Sequence, residues 1–273
     1  MSQPRGEDPA PAQQWSDLID EFDRWKEAGK VATLWWRDDD AVGPSDRLDC
    51  LLSISGDVPI ALAVVSAGTD ERLGEWLAHP LRSRQTARLF ILQHGWRHEN
   101  HTLAGKKSEF PPERSAEAVA SDLAAGRTRL AALFGARALP VLAPPWNRFD
   151  CRFLSLLADC GLSGISRVGP RRSAHPAPGI AAANIQVDLV EWAGHRGFVG
   201  RDVALRGLIA HLRARRSGKV DAAEPTGILT HHLVQDEATS AFLRKLVAIS
   251  GVHRAVRWLD ATEVFAKDGC FLP

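Results

Sequence analysis

The sequence predicts an α/β fold, a single irregular (β/α) barrel with about seven or eight parallel strands. Short apolar segments alternate with helical patterns along the whole chain, which is the arrangement of consecutive βα units. Several of these segments are continuously apolar, as expected for parallel strands that are covered on both faces. The length of 273 residues suits one barrel. We therefore expect one domain, covering residues 15–273.

The N-terminal residues differ from the rest of the chain. Residues 1–14 are polar and contain several prolines, so we predict a disordered tail. They lack the apolar segment of a signal peptide, and none of the four cysteines forms a CxxC pair, so we expect a cytoplasmic protein with reduced thiols. The first predicted helix carries Trp15, Leu18, Phe22 and Trp25 at helical spacing and ends at Gly29.

The remaining elements follow in strand and helix order. The predicted strands are 31–36, 58–65, 88–93, 139–142, 162–167, 185–190, 227–230 and 255–259. The clearest predicted helices are 113–134, 151–160, 201–215 and 236–250. Because the carboxyl ends of parallel strands meet at one rim of a barrel, polar residues directly after these strands are the candidates for a shared site.

The charge balance narrows the choice of partners. The chain has 34 basic and 33 acidic residues and a net charge of +1, which gives no reason to expect a nucleic acid or an anionic membrane as partner. No apolar segment has the length of a membrane span. The sequence leaves a homo-oligomer open.

Carboxylate and imidazole side chains follow two of the predicted strands. Asp38, Asp39 and Asp40 come directly after the first strand, and adjacent carboxylates repel one another unless a cation or water relieves them. His94 and His98 follow the third strand at a spacing that places both rings on one face of a helical turn, where they can share a metal ion. For the aspartates, a solvated turn is the alternative interpretation.

Two further strand ends have unusual chemistry. Pro144 and Pro145 make the backbone after one strand rigid, and rigid backbone donors are what an oxyanion hole requires. His231 and His232 end another strand, and histidine is the side chain that exchanges a proton near neutral pH. The alternatives are an ordinary strand-to-helix turn and a structural histidine.

In their order and spacing, these segments resemble the polysaccharide deacetylase family, also called the NodB homology or carbohydrate esterase family four. That family carries an Asp-Asp strand end, a His-x-x-x-His motif, an Arg-x-Pro turn, a hydrophobic wall with tryptophan and a Leu-x-Leu-His strand end. The matching segments here are WWRDDDA, QHGWRHENH, LAPPWNR and ILTHHL, within residues 31–265. The resemblance implies a divergent member with the same irregular barrel.

The resemblance also implies an activity. Its members hydrolyse an acetyl group from an N- or O-acetylated sugar with a divalent metal, usually zinc, with cobalt and nickel as alternatives. We therefore expect a hydrolase that acts on a carbohydrate or a related small acylated substrate and attacks with a metal-activated water.

Position by position, the resemblance implies roles for the residues around the metal. Asp40, His94 and His98 would bind the metal, and Asp39 would be the general base. A register shifted by one residue, with Asp38 and Asp39 as the active pair, stays open.

The resemblance also implies an acid and a set of substrate contacts. His231 matches the proton donor best and His232 is its rival, while the backbone N–H of Trp146 would stabilise the oxyanion. Trp192 would lie either against a sugar face or in the core. The expected substrate-binding residues are Trp96, Pro145, Asn147, Arg148 and His232.

The chain departs from the family pattern at three positions. Ala143 stands where the family has an arginine that contacts the base, with Arg148 or Arg37 as candidates to replace it. Gly95 stands where the family usually has Ser or Thr, and Ala41 where it has Gly. Two other functions therefore stay open, a non-catalytic carbohydrate- or metal-binding protein on the same fold and a hydrolase of a non-peptide C–N bond in a small molecule.

Overall fold

A computed structural model describes residues 14–266, so the predicted N-terminal tail lies outside the described residues except for Gln14. The strands are β1 (Ala32–Ala41), β2 (Ala61–Val64), β3 (Phe90–Gln93), β4 (Ala138–Leu142), β5 (Gly164–Ile165), β6 (Ala181–Ala182), β7 (Val187–Asp188), β8 (Thr226–Thr230) and β9 (Val256–Trp258). The helices are α1 (Trp15–Glu27), α2 (Asp46–Ser55), α3 (Glu71–Ala78), α4 (Ser83–Thr86), α5 (Ala116–Phe134), α6 (Leu156–Asp159), α7 (Arg201–Arg216), α8 (Glu237–Val252) and α9 (Ala261–Val264).

The strands form one parallel sheet that closes on itself. Its order is β6-β5-β4-β3-β2-β1-β8-β7, and β9 pairs with β1. The segment that carries β6 and β7 joins the two ends of this order. Within it, Ile185 N–H donates to Arg167 O at 2.8 Å beyond β5, and Gln186 N–H donates to Gly227 O at 2.9 Å on β8. The predicted irregular (β/α) barrel is therefore confirmed.

Alternate side chains of each strand face the barrel interior and the surrounding helices. Trp35 of β1 faces the interior, where its neighbours are mostly small, whereas Trp36 faces the helical layer. Both faces are thus apolar, which explains the continuous apolar strands in the sequence. The buried interior side chains include Trp35, Ala61, Ala63, Leu92, Val141, Ala143, Ile185 and Leu229.

The helical layer differs from the predicted one in detail. Each predicted strand and helix has a counterpart, but predicted helix 151–160 divides into a 3-10 turn and α6, and β6 was not predicted. Side chains cap several helix starts; Ser45 accepts the N–H of Leu48 at 3.1 Å, and Ser115 accepts that of Ala118 at 3.2 Å.

Within residues 14–266, no helix is long and apolar enough to cross a membrane.

The described cysteines Cys50, Cys151 and Cys160 form no disulfide with one another, and Cys270 lies outside the described residues.

Candidate active site

Strand alternation brings polar residues to the carboxyl-terminal mouth of the barrel. Along β1, Trp35 and Arg37 precede Asp39 on the inward face. In the same way, His94 follows Leu92 and His231 follows Leu229. A cleft of about 890 Å³ opens at this mouth. It is lined by Asp39, Asp40, His94, His98, Lys107, Trp146, Asn147, Arg148, Val168, Asp188, Trp192, Arg196 and His231.

An irregularity at the end of β1 lets two consecutive aspartates face the cleft. The pairing register between β1 and β2 shifts between Asp38 and Ala41, and Asp40 has a φ of 70°. A bulge of this kind re-aims a side chain that regular alternation would send to the other face. A non-glycine residue in the left-handed region is strained, and such strain concentrates at functional sites.

Asp40, His94 and His98 form a cluster that fits a metal ion. Oδ1 of Asp40 is buried without a hydrogen-bond donor among the described residues and lies 3.1 Å from His94 Nε2 and 3.3 Å from His98 Nε2. His94 Nδ1 lies 2.8 Å from Ala143 O, so Nδ1 carries the proton and Nε2 presents its lone pair. Without a cation, the lone pairs of these three atoms repel one another. A cation bound between them would replace this repulsion with attraction. Two imidazole nitrogens and one carboxylate oxygen are donors that suit zinc.

Protons compete with an ion for this cluster. Burial opposes ionisation of Asp40, but when no ion is bound the adjacent imidazoles of His94 and His98, once protonated, outweigh burial and hold the pKa of Asp40 well below its usual range. Burial likewise opposes a charged ring at His94, yet the carboxylates of Asp39 and Asp40 raise the pKa of His94. Because metal ligands must be deprotonated, affinity for an ion should fall as the pH falls.

A buried carboxylate holds the loop that carries the two histidines. Glu109, 1% exposed, accepts the backbone N–H groups of Trp96 at 3.1 Å, Arg97 at 2.7 Å and His98 at 3.2 Å. Burial raises the pKa of Glu109, although the N–H groups of Arg97 and Trp96 act in the opposite direction. A Cβ atom at Gly95 would lie 1.8 Å from Glu109 Oε2. The departure from Ser or Thr at Gly95 therefore makes room for Glu109.

Arg37 holds Asp39 in a fixed orientation. Arg37 Nε–H donates to Asp39 Oδ1 at 2.8 Å and Nη2–H to Asp39 Oδ2 at 2.9 Å. The guanidinium also donates to Ser166 Oγ at 2.6 Å and to Asn147 Oδ1 at 2.5 Å, and its side chain is fully buried. Arg37 and Arg148 were the two candidates to replace the family arginine whose position is occupied here by Ala143. Arg37 is the one that contacts Asp39, whereas Arg148 donates to Lys107 O at 2.7 Å.

Asp38 faces the helical layer rather than the cleft. Its Oδ2 accepts the hydroxyl of Thr230 at 2.6 Å, and its Oδ1 contacts Nδ1 of His232. Burial opposes a charged ring at His232, but the charge of Asp38 and its hydrogen bond outweigh burial and raise the pKa of His232. The structure therefore places the alternative base Asp38 and the rival acid His232 together, outside the cleft.

His231 lies in the cleft beside a carboxylate that the sequence analysis missed. His231 Nδ1 is 3.9 Å from Asp188 Oδ1, and Asp188 Oδ2 accepts the indole N–H of Trp192 at 2.8 Å. The rings of Trp192 and His231 meet edge to face at 4.7 Å. Burial raises the pKa of Asp188, while His231 and Trp192 act to lower it. Trp192 is 46% exposed, so its core alternative is wrong.

The proline turn contributes one face of the cleft. Trp146 and Asn147 both have positive φ, at 54° and 57°, and the Trp146 ring lies 4.3 Å from the ring of His98. Asn147 and Arg148 also line the cleft.

Three predicted substrate-binding residues do not line the cleft. Trp96 lies in a separate depression beside α5. Pro145 is buried, and its Cγ lies 2.8 Å from the position that a Cβ atom on Gly95 would occupy. His232 is 1% exposed in the helical layer. The prediction placed these residues by their closeness in sequence to the motifs, whereas side-chain direction decides which of them reach the cleft.

Several cleft residues were not predicted from the sequence. Asp188 sits in a predicted strand, and its inward position could have been found by alternation from Val187 and Leu189, which face the helices. Lys107 and Arg196 lie on loops without periodicity, so strand alternation could not place their side chains at the cleft.

No protein-family model matches the sequence, and no curated protein sequence matches it. Solved structures do match. A protein from Mycobacterium smegmatis described provisionally as a polysaccharide deacetylase has a TM-score of 0.60 at 19% identity, over 94% of this chain and 93% of its own. For a chitin deacetylase from Colletotrichum lindemuthianum the TM-score is 0.51 at 13% identity, over 88% and 89%. For a peptidoglycan N-acetylglucosamine deacetylase it is 0.51 at 13% identity, over 92% and 97%. This chain therefore has the fold of solved polysaccharide deacetylases.

Proposed function

We propose that the protein is a metal-dependent hydrolase that removes an acetyl or related acyl group from an N-acylated sugar or a similar substrate. The observation that carries the proposal is the buried Oδ1 of Asp40, which faces Nε2 of both His94 and His98 without a protein donor. A divalent ion, zinc by the donor set, would be held by these residues and would supply Lewis acidity to the acyl carbonyl.

Asp39 is suited to act as the general base. It lies at the cleft beside the metal cluster, and both of its oxygens are oriented by Arg37. This pairing holds the carboxylate in an orientation from which it could accept a proton from an attacking water. The arginine comes from β1 itself, so the absence of an arginine at Ala143 does not leave Asp39 without a partner.

His231 is suited to donate a proton to the leaving nitrogen. Its ring is held between Trp192 and Asp188, and its Nδ1 is buried without a hydrogen-bond partner among the described residues. Imidazole can pass a proton to a leaving nitrogen, and Asp188 and Trp192 position this ring in the cleft. The turn at Trp146, where the backbone has a positive φ, would supply a backbone N–H for the developing oxyanion.

The cleft also suits a sugar. The exposed ring of Trp192 and the ring of Trp146 both line it, and aromatic faces pack against the apolar faces of pyranose rings. Names of the solved structures with this fold include chitin and peptidoglycan deacetylases. Both names describe N-acetylated carbohydrates as substrates, which supports the same substrate class here.

The test joins metal analysis to product release. We expect one divalent ion per chain and acetate release from N-acetylglucosamine oligomers that a chelator abolishes and zinc restores. His94→Ala should lose stoichiometric metal, whereas Trp96→Ala, outside the cleft, serves as the matched control. Bound metal without hydrolysis of any acylated substrate would support the non-catalytic binding protein instead. Full metal retention in His94→Ala would contradict the proposed site.

A further inference from the structure

Three cationic side chains surround the cleft beyond the metal cluster. They are Lys107, Arg148 and Arg196, and each lines the same cleft as Asp40. Among the described residues 14–266, none of the three has a carboxylate partner; the one side-chain contact of Arg148 is to the carbonyl oxygen of Lys107. Unpaired cations at a concave site attract anions more strongly than the same charges on a convex surface.

The acidic residues of the cleft form no ion pair with these cations among the described residues. Asp39 is already paired with Arg37 through both oxygens. Asp40 faces the two imidazoles of the metal cluster. Asp188 accepts N–H groups from Trp192 and Val190. With Arg37 counted, the cleft has one more cationic than anionic side chain, and a divalent ion on Asp40 would add to this positive excess.

The cations come from separate loops around the mouth. Arg148 follows β4 in the proline turn, and its contact with the backbone of Lys107 keeps the two residues adjacent. Arg196 follows β7, in the loop that also carries Trp192. A substrate whose ring lies against Trp146 and Trp192 therefore extends between positive charges from two sides.

We propose that the substrate is an anion, namely an N-acylated sugar or similar compound with a carboxylate or phosphate on the part that points away from the acyl group. This inference rests on the proposed function, because the acyl group must reach the metal cluster. Guanidinium groups bind carboxylate and phosphate through paired, charge-assisted hydrogen bonds. A neutral substrate would leave Lys107, Arg148 and Arg196 unused.

The test compares three probes that differ only at C6 of the sugar. They are N-acetylglucosamine, N-acetylglucosamine 6-phosphate and N-acetylglucosaminuronic acid, and the readout is kcat/KM for acetate release. At least one anionic probe should exceed the neutral probe by roughly tenfold or more. The ratio of anionic to neutral kcat/KM should fall as the salt concentration rises, because dissolved ions screen the charges of the rim cations. The responding probe identifies the anion as phosphate, carboxylate or both.

Substitutions locate the preference at the rim. Arg148→Gln and Arg196→Gln should each reduce the ratio of anionic to neutral kcat/KM by about fivefold. Lys30→Gln and Arg254→Gln remove exposed charges that precede β1 and β9, at the opposite end of the barrel, and should leave the ratio unchanged. Equal kcat/KM for all three probes, or a preference that both rim variants retain, would overturn the proposal.

A binding measurement separates this inference from the proposed function. Calorimetry with metal-loaded Asp39→Asn reports affinity for the same probes without turnover. If wild type hydrolyses nothing but this variant binds an anionic probe more tightly than the neutral one, the activity fails and the anion site stands. If hydrolysis occurs without any anion preference in either assay, the activity stands and the anion site fails.

Discussion

Gly95→Ser places in this chain the residue type that the related family usually has, and we expect it to damage the metal site. Gly95 has a φ of 66°, and its Cβ would lie 1.8 Å from Glu109 Oε2 and 2.8 Å from Pro145 Cγ. A side chain in the left-handed region costs about 1–2 kcal/mol. The displaced carboxylate would also leave the N–H groups of Trp96, Arg97 and His98, each worth about 1.5–3 kcal/mol as a hydrogen bond to a charge.

The loss should therefore reach about 3–5 kcal/mol for the His94–His98 loop, since contacts within one cluster do not add fully. Part of this free-energy loss should appear as a lower unfolding free energy and part as weaker metal binding. Disruption of the contacts that support metal ligands typically lowers metal affinity 10–100-fold. Zinc affinity is measured by competition with a chromogenic chelator, and stability by urea unfolding. Gly43→Ser is the matched control, because nothing lies within 4 Å of its Cβ position and its φ is ordinary.

A double variant tests the cause. Because Gly95→Ser already displaces the carboxylate, adding Glu109→Ala should cost little more, whereas Glu109→Ala alone should weaken zinc binding strongly. Wild-type zinc affinity in Gly95→Ser, or fully additive losses in the double variant, would refute the reasoning that Glu109 holds this loop.

Other substitutions separate the roles of neighbouring residues. Asp39→Asn should keep its metal and lose about 10²–10⁴ in rate, whereas Asp40→Asn should lose both, and metal retained in Asp40→Asn would contradict the assignment. Arg37→Lys keeps the charge but not the paired contact, so kcat should fall with metal content unchanged; an unaltered kcat would argue against positioning of Asp39. The raised pKa of His232 contributes stability that is present below about pH 6.5 and lost as the pH rises through that pKa. Asp38→Asn should therefore lower the urea unfolding free energy most in acid and less above neutrality, and a difference independent of pH would count against the pair.

The closeness of His94 and His98 could be predicted because a local pattern places them. His94 and His98 have a spacing that brings two rings to one ion, and they directly follow a buried strand. The choice between His231 and His232 was also available, since Leu229 faces the barrel interior and alternation sends His231 to the same side. Without this alternation, the strand end alone does not distinguish His231 from His232.

The direction of the Asp40 side chain depends on an irregularity that the sequence does not show. Regular alternation would send Asp38 and Asp40 to one face, but the register shift and positive φ separate them. A bulge depends on how two strands pair, and pairing partners far apart in sequence decide it.

By itself, the sequence determined the strand and helix order, the barrel and the carboxyl-terminal rim where chemistry collects, because these depend on periodicity and strand direction. Only the tertiary structure decided that Arg37 holds Asp39, that Asp188 lies beside His231 and that Glu109 supports the loop after β3. The physical reason is that each of these contacts needs a particular side-chain direction, and for Asp188 and Glu109 also two segments that are distant in sequence. A carboxylate becomes a base, a ligand or a support according to the neighbours that folding brings to it.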